Sequence, residues 1–328
     1  MNKYSFPPFK SDIIDAIESH KKAIIVGHIS PDGDCFNSQL SMQYLLKYLG
    51  YEQVILANAG PFERSEAIAI QDKFTTVITP EMLQDDPLFV MVDCGELSRI
   101  GSLADTLKDK SFLVLDHHPT SLNFHLGPSY IFPTSVSSTL IVEKLFEHFQ
   151  VPINEEMANR LFFGFATDTG FFNYIPKGNG EAIRMAATLV EKGADPRIAF
   201  ARMNGGKSRD FIKNTALLIN RTEYVVDGHV ALSYFKKDDG SECPSDSYYS
   251  QMFKCDDTKG IVLLKETKDG KIILGLRASY DCDFDMSAFA QHFGGGGHKK
   301  AAGAAITVSL DKALEMVKKY LEETFVCH

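Results

Sequence analysis

Short apolar runs alternate with helical patterns along the first 200 residues of the chain. Four runs are apolar almost throughout, at residues 23–26, 54–56, 89–92 and 112–115. Runs of that kind are typical of strands covered on both faces, as in a parallel sheet. Helical spacing or a capping residue predicts helices in between, over about 40–48, over 138–149 after Ser137 or Ser138, and over 155–166. The alternation predicts a doubly wound α/β domain.

The pattern changes after residue 200, where Gly205 and Gly206 interrupt it. Asp227-Gly228 and Asp269-Gly270 each separate two strand-like runs, which predicts two β-hairpins. A helix near 286–293, a strand near 304–308 and a helix after Ser309 complete a smaller mixed α+β domain. We therefore predict three segments: a first domain at 1–200, a linker at 201–222, which is partly helical, and a second domain at 223–328.

The composition is that of a globular protein, with 44% hydrophobic and 23% charged residues among 328. The net charge of −9 shows no overall basic footprint, so we expect no track for long nucleic acid. The first ten residues contain no apolar signal segment, and no apolar run reaches the roughly 18–20 residues of a membrane span. Six scattered cysteines without a C-x-x-C motif indicate reduced thiols, so we expect a cytoplasmic protein without a membrane partner.

Acidic and histidine residues follow the predicted strands closely. The clusters are His28, Asp32 and Asp34 after the first strand, Asp93 after the third, Asp116, His117 and His118 after the fourth, and Asp168 after a helical segment. The clusters at Asp32, Asp93 and Asp168 alone also fit a turn or a helix cap, whereas adjacent histidines behind an acidic residue at a strand end are unusual. The carboxyl ends of parallel strands share one edge of the sheet, where ligands bind. The joint placement therefore predicts that these side chains converge on one site.

Five carboxylates cannot remain ionised side by side without cations, because like charges raise each other's pKa. Two divalent metal ions resolve this conflict. Oxygen and imidazole ligands without thiolate suit manganese, iron or cobalt, and we favour Mn²⁺. Cys35 and Cys94 lie inside the motifs, where small buried residues are the simpler interpretation.

The order of these motifs resembles that of the DHH phosphoesterases. The matching motifs are His28-x-x-Pro31-Asp32-x-Asp34, Asp93-x-Gly95, Asp116-His117-His118 and Asp168-Thr169-Gly170. Further on, Arg277 in Leu-Arg-Ala-Ser and the run of four glycines ending at His298 resemble the accompanying DHHA1 domain. The resemblance spans roughly residues 20–310. It is closest to the two-domain branch of bacterial nanoRNase/pAp-phosphatase and cyclic-di-AMP phosphodiesterase proteins.

The resemblance implies a role for each residue of the first domain. His28 and Asp32 hold one metal ion, Asp93 bridges, and the second ion takes three further ligands: Asp34, His118 and Asp168. Asp93, Asp116 and His117 form the catalytic group, in which Asp116 orients an imidazole and His117 contacts the substrate phosphate. Asn173 stands where many relatives carry a basic residue. The aromatic residues around it, at 171, 172 and 174, fit either base stacking or a core role.

The second domain supplies substrate recognition by the same resemblance. Successive glycines let backbone N–H groups approach an anion, and Arg or His adds charge-assisted hydrogen bonds. The predicted substrate-binding residues are Arg277, Gly295, Gly296, Gly297 and His298. Relatives are often homodimers, which we expect here as well.

The expected function is that of a metal-dependent phosphodiesterase. Its substrates would be short oligoribonucleotides or linear and cyclic dinucleotides such as pApA and cyclic-di-AMP, and its products nucleoside 5′-monophosphates. Two alternatives stay open: a 3′(2′),5′-bisphosphate nucleotidase acting on pAp, and a nucleotide-binding regulator without activity. The second is disfavoured because every predicted ligand position is filled.

Overall fold

A computed structural model of the chain describes residues 3–325. Met1, Asn2 and residues 326–328, among them Cys327, lie outside the described residues. The chain divides into two compact units, Met1–Gly206 and Lys207–His328. The dividing point falls inside the segment 201–222, much of which is helical. No helix within residues 3–325 is both long enough and apolar enough to span a membrane.

The N-terminal unit is built on a five-stranded parallel sheet with the order β2-β1-β3-β4-β5. Its strands are β1 Lys22–Val26, β2 Gln53–Ala57, β3 Leu88–Val92, β4 Phe112–Asp116 and β5 Ser129–Ile131. The first four match the four predicted apolar runs. The fifth is three residues long, too short for a recognisable pattern. The strand order reverses at β1, because β2 lies on one side of it and β3 on the other. The carboxyl ends of β1 and β3 therefore flank the crevice where open α/β sheets bind ligands.

Within residues 3–206 the unit contains eight helices, joined in places by short 3₁₀ turns. They are α1 Ser11–Ser19, α2 Gly33–Tyr48, α3 Ser65–Ile68, α4 Ala104–Leu107, α5 Ser138–His148, α6 Glu155–Asp168, α7 Gly180–Glu191 and α8 Pro196–Asn204. The first ten residues of α2 are buried, polar ones included. Gln39 Nε2 donates to the carbonyl oxygens of Ile25 and Ala57, at 3.0 and 2.9 Å, and so ties α2 to β1 and β2. A helical segment that is buried on all sides shows no alternation of apolar and polar faces. The hydrophobic periodicity therefore predicted only the second half of α2.

The C-terminal unit contains a six-stranded mixed sheet with the order β10-β11-β9-β8-β7-β6, in which only β7 and β8 pair in parallel. Its strands are β6 Glu223–Val225, β7 Val230–Phe235, β8 Gly260–Glu266, β9 Ile272–Ala278, β10 Gly296–His298 and β11 Ala301–Ile306. Its helices are α9 Arg209–Asn220, α10 Ser245–Met252, α11 Met286–His292 and α12 Leu310–Thr324. The two units together confirm the predicted fold class.

Both predicted hairpins are present, as the antiparallel pairs β6–β7 and β8–β9. Strand β11 lies earlier than its predicted position at 304–308. It consists almost entirely of alanine and glycine, which have low β-propensity, so the sequence pattern drew the strand toward the apolar residues that follow.

The glycine run, which we expect to contact an anion, forms part of the sheet edge. Gly296–His298 is the edge strand β10, paired antiparallel with β11. A Cβ on Gly295 would overlap the Gly303 carbonyl oxygen and lie 2.6 Å from the Cα of Ala304. Gly296, in contrast, faces open space. Part of the run is therefore required by close backbone packing.

Replacing Gly295 by alanine should destabilise the protein, whereas Gly296→Ala should not. The added methyl group has no space at position 295, and overpacking of this kind costs about 1–3 kcal/mol of unfolding free energy. Urea denaturation of the two variants beside the unmodified protein measures the difference. Equal unfolding free energies for both variants would contradict the close approach of β10 and β11.

Candidate active site

The loop after β1 leads straight into α2, and this junction aims two acidic residues at the crevice. Asp32 caps α2, because its Oδ1 accepts hydrogen bonds from the backbone N–H groups of Asp34 and Cys35, both at 3.1 Å. Gly33 allows the start of α2 to approach the end of α6, since a Cβ there would lie 2.5 Å from Thr167 Cγ2. This packing brings Asp34 close to Asp168, the last residue of α6.

Asp93 lies at the centre of the site, directly after β3. Its Oδ2 is 3.3 Å from His28 Nε2, and its Oδ1 is 3.5 Å from His117 Nε2. The backbone of Asp93 adopts φ +60°, a region that non-glycine residues rarely occupy and that clusters at functional sites. Ser138 Oγ donates to Oδ1 at 2.9 Å. The two carboxylate oxygens of Asp93 therefore face two different histidines.

Two groups of ligand atoms form on either side of Asp93. On the first side His28 Nε2 lies 3.8 Å from Asp32 Oδ1. On the second side His117 Nε2 lies 3.1 Å from Asp168 Oδ2 and 3.9 Å from Asp34 Oδ2. His117 Nε2 is buried and has no hydrogen-bond partner among the described residues. Such an orphaned nitrogen among carboxylates fits a cation that binds to all of them.

The adjacent histidines lie in positions that differ from those the resemblance implies. The resemblance implies that His118 accompanies Asp34 and Asp168, but the geometry places His117 beside them. The His118 side chain is 45% exposed, and its Nδ1 is hydrogen-bonded to Asp116 Oδ1 at 2.8 Å. That nitrogen is also the atom through which His118 approaches Asp93, at 3.8 Å. His118 therefore presents its other ring nitrogen away from Asp116.

Asp116 determines how this turn is arranged. Its Oδ1 accepts hydrogen bonds from the backbone N–H groups of His117, at 2.7 Å, and His118, at 3.2 Å, and its Oδ2 accepts one from the Ser121 hydroxyl. The carboxylate is fully buried. Asp116 thus fixes the orientation of the His118 ring, through the hydrogen bond between its Oδ1 and His118 Nδ1.

The N-terminus of α5 supports the second ligand group, a contribution that the sequence analysis missed. The backbone N–H groups of Ser138 and Thr139 donate to the two oxygens of Asp34, at 2.6 and 2.9 Å. Helix N-termini favour negative charge because their N–H groups lack partners within the helix. The serine-rich stretch before α5 indicated a helix start, but nothing in it indicated which carboxylate would lie there.

The electrostatics of the site reflect its crowding. Burial, together with the neighbouring carboxylates of Asp93 and Asp168, holds the pKa of Asp34 well above its usual range. Burial also acts to raise the pKa of Asp93, but the imidazoles of His117 and His28 outweigh it and hold that pKa low. The protein thus collects more negative charge than its own imidazoles neutralise, and a divalent cation would relieve this imbalance.

In the C-terminal unit, the strand register places two predicted substrate-binding residues on one face of the sheet. Arg277 in β9 is opposite Ala301 in β11, and Ala301 is opposite His298 in β10. Residues directly opposite each other share a face. The Arg277 guanidinium lies over the Tyr249 ring, at 4.7 Å from its centroid, and forms no ion pair with any carboxylate in the described part of the chain. His298 is exposed. Gly295, Gly296 and Gly297 lie beside or within the edge strand.

The aromatic residues after Asp168 have different environments. Phe171 and Phe172 pack against Phe162 in an aromatic cluster. Tyr174 is 74% exposed. Asn173 is exposed and donates to the Gly170 carbonyl oxygen, at 2.6 Å, so it is a local turn contact.

Comparison with known proteins identifies both units. Residues 22–165 match the DHH family, N-terminal domain, and residues 228–323 match the DHHA1 domain. The bifunctional oligoribonuclease and PAP phosphatase NrnA of Thermus thermophilus is 25% identical over 95% of this chain and 92% of its own length. A manganese-dependent inorganic pyrophosphatase of Methanothrix thermoacetophila is 27% identical over 45% of this chain and 47% of its own length.

A solved structure shares the whole fold. An exopolyphosphatase-related protein from Bacteroides fragilis aligns with a TM-score of 0.77 at 21% identity, over 95% of this chain and 96% of that protein. The two domain matches cover most of the chain in the expected order and include the strand-end motifs from His28 to His118. The expectation of a hydrolase is thereby confirmed. This chain belongs to the DHH/DHHA1 family of phosphoesterases.

Proposed function

We propose that this protein is a two-metal phosphodiesterase that hydrolyses short oligoribonucleotides or dinucleotides to nucleoside 5′-monophosphates. The observation that supports it best is the position of Asp93, whose two oxygens face two separate ligand groups at 3.3 and 3.5 Å. A carboxylate so placed can bridge two cations, which in two-metal sites lie about 3.5–4 Å apart. The resemblance to a Thermus oligoribonuclease and PAP phosphatase supports nucleotide substrates.

The residues divide between the two proposed cations as the geometry groups them. His28, Asp32 and Asp93 would hold one. The other would take four ligands: Asp34, Asp93, His117 and Asp168. Cations bound there would activate water for attack on phosphorus and neutralise the oxygens of the phosphate. Mn²⁺ suits this mixture of oxygen and imidazole, and the resemblance to a manganese-dependent pyrophosphatase supports that choice.

In this proposal His118, rather than His117, contacts the substrate phosphate. Because Asp116 binds Nδ1, the ring is held with Nε2 free to donate to a phosphate oxygen when the imidazole is protonated. The hydrogen bond that the ring donates to the Asp116 carboxylate also raises the pKa of His118, which favours that protonated form. Asp116 is then a positioning residue, and His118 is the group that touches the substrate.

The C-terminal unit supplies additional contacts to the substrate in this proposal. Arg277 lacks a carboxylate partner within the described residues and shares a face with exposed His298. Ala301, a small residue, lies between Arg277 and His298 in the sheet, and the space around Gly296 is open. Cyclic-di-AMP and pApA remain candidate substrates. The second candidate function, hydrolysis of pAp, is favoured by the bifunctional name of the Thermus relative.

Activity should fall as the substrate becomes longer. The net charge of −9 offers no extended electrostatic attraction for a long phosphate backbone. We expect the highest kcat/KM with Mn²⁺ on the shortest members of a labelled RNA ladder from 2 to about 24 nucleotides, with pAp and cyclic-di-AMP assayed beside it. A rate that is flat or rises with length would contradict the proposal.

The two adjacent histidines should differ in their effect on metal binding. His117→Ala should lose bound Mn²⁺, because it removes the nitrogen that faces Asp34 and Asp168. His118→Ala should retain it and lose turnover. Elemental analysis after dialysis against Mn²⁺ measures both, and each variant is the matched control of the other. Metal loss in His118→Ala alone would restore the assignment that the resemblance implied.

A further inference from the structure

A small cavity opens beside Asp93 on the side of the site that His118 occupies. Its volume is about 290 Å³, and its lining includes Asp93, His118, Glu96 and Arg99. This is close to the lower end of the range for ligand pockets, roughly 300–1,000 Å³, and it leaves room for a phosphate group.

Arg99 is held in place by its backbone. The backbone N–H of Ile29 donates to the Arg99 carbonyl oxygen at 2.8 Å, and the N–H of Arg99 donates to the Glu96 carbonyl oxygen at 3.0 Å. Ile29 directly follows His28, so the hydrogen bond links the Arg99 turn to the loop that carries a proposed metal ligand. The side chain therefore extends from an anchored position.

The guanidinium of Arg99 is not paired with a carboxylate in the described part of the chain. It is the one arginine or lysine in the lining of this cavity, and it forms no ion pair within residues 3–325. Glu96, which shares the cavity, accepts a hydrogen bond from the Ser98 hydroxyl. Guanidinium groups bind phosphate through two parallel N–H donors, so an unpaired one beside a phosphoesterase centre is suited to a substrate phosphate.

We propose that Arg99 binds a second phosphate of the substrate, distinct from the one that is hydrolysed. The inference rests on the proposed function. In a 5′-phosphorylated dinucleotide and in pAp, this is the 5′-phosphate of the nucleoside whose 3′ oxygen leaves. Arg99 then makes the enzyme selective for nucleotides that carry two phosphates over dinucleotides that carry only the scissile one.

The test compares pApA with ApA, which lacks the terminal phosphate. Arg99→Met should reduce kcat/KM on pApA by about 10- to 100-fold, the effect of losing a hydrogen bond to a charged group. On ApA the change should stay below about threefold. Arg99→Lys should recover part of the loss, because it keeps the charge without the planar pair of donors.

Arg197→Met is the matched control, since it removes one arginine from the same unit at a side chain that is 91% exposed and already paired with Asp195. It should change neither rate by more than about twofold. Equal losses on pApA and ApA in Arg99→Met would overturn the proposal, because they indicate a role at the scissile phosphate or in folding. Unchanged rates on both substrates would overturn it as well.

Binding supplies a readout that does not depend on turnover. Calorimetry with Ca²⁺ in place of Mn²⁺ compares the affinities for pAp and for adenosine 3′-monophosphate. The unmodified protein should prefer pAp, and Arg99→Met should lose that preference. An unchanged preference in Arg99→Met would overturn the role of Arg99. A protein that hydrolyses no nucleotide in the panel would instead contradict the proposed function.

Discussion

The structure depends on concentrating negative charge in a place that water barely reaches. Asp34 is fully buried and Asp93 is 2% exposed, and both face the same histidine nitrogen. Buried carboxylates so close together are unfavourable unless donors and cations surround them. The amides at the start of α5, the imidazoles of His28 and His117, and two proposed cations satisfy that requirement together. Removing the amides, an imidazole or a cation would leave negative charge on the buried carboxylates uncompensated.

The topology of the N-terminal unit provides the space for this arrangement. The order β2-β1-β3 separates the loops after β1 and β3 at the point where the strand order reverses. Helix α2 then passes through the interior with polar residues buried along it, tied to the sheet by Gln39. Because α2 and α6 meet closely at Gly33, acidic residues from a strand end and a helix end reach one site.

The sequence predicted the elements whose signal is local. The four longest parallel strands, both hairpins and the acidic and histidine clusters after β1, β3 and β4 follow from periodicity and turn residues. The sequence could not show which of His117 and His118 faces Asp34 and Asp168. Adjacent side chains differ only in how the turn at Asp116 orients them. The contribution of α5 was missed for a related reason: Asp34 and Ser138 are more than a hundred positions apart. The pairing of the glycine run with β11 was not predicted either, because it is a long-range property.

The bridging position of Asp93 is tested most directly by locating manganese in crystals. Anomalous scattering from crystals grown with Mn²⁺ should show two peaks about 3.5–4 Å apart, one beside each carboxylate oxygen of Asp93. His28 should lie at the first peak and His117 at the second. A single peak, or two peaks that leave one oxygen of Asp93 without a metal, would contradict the two-metal site.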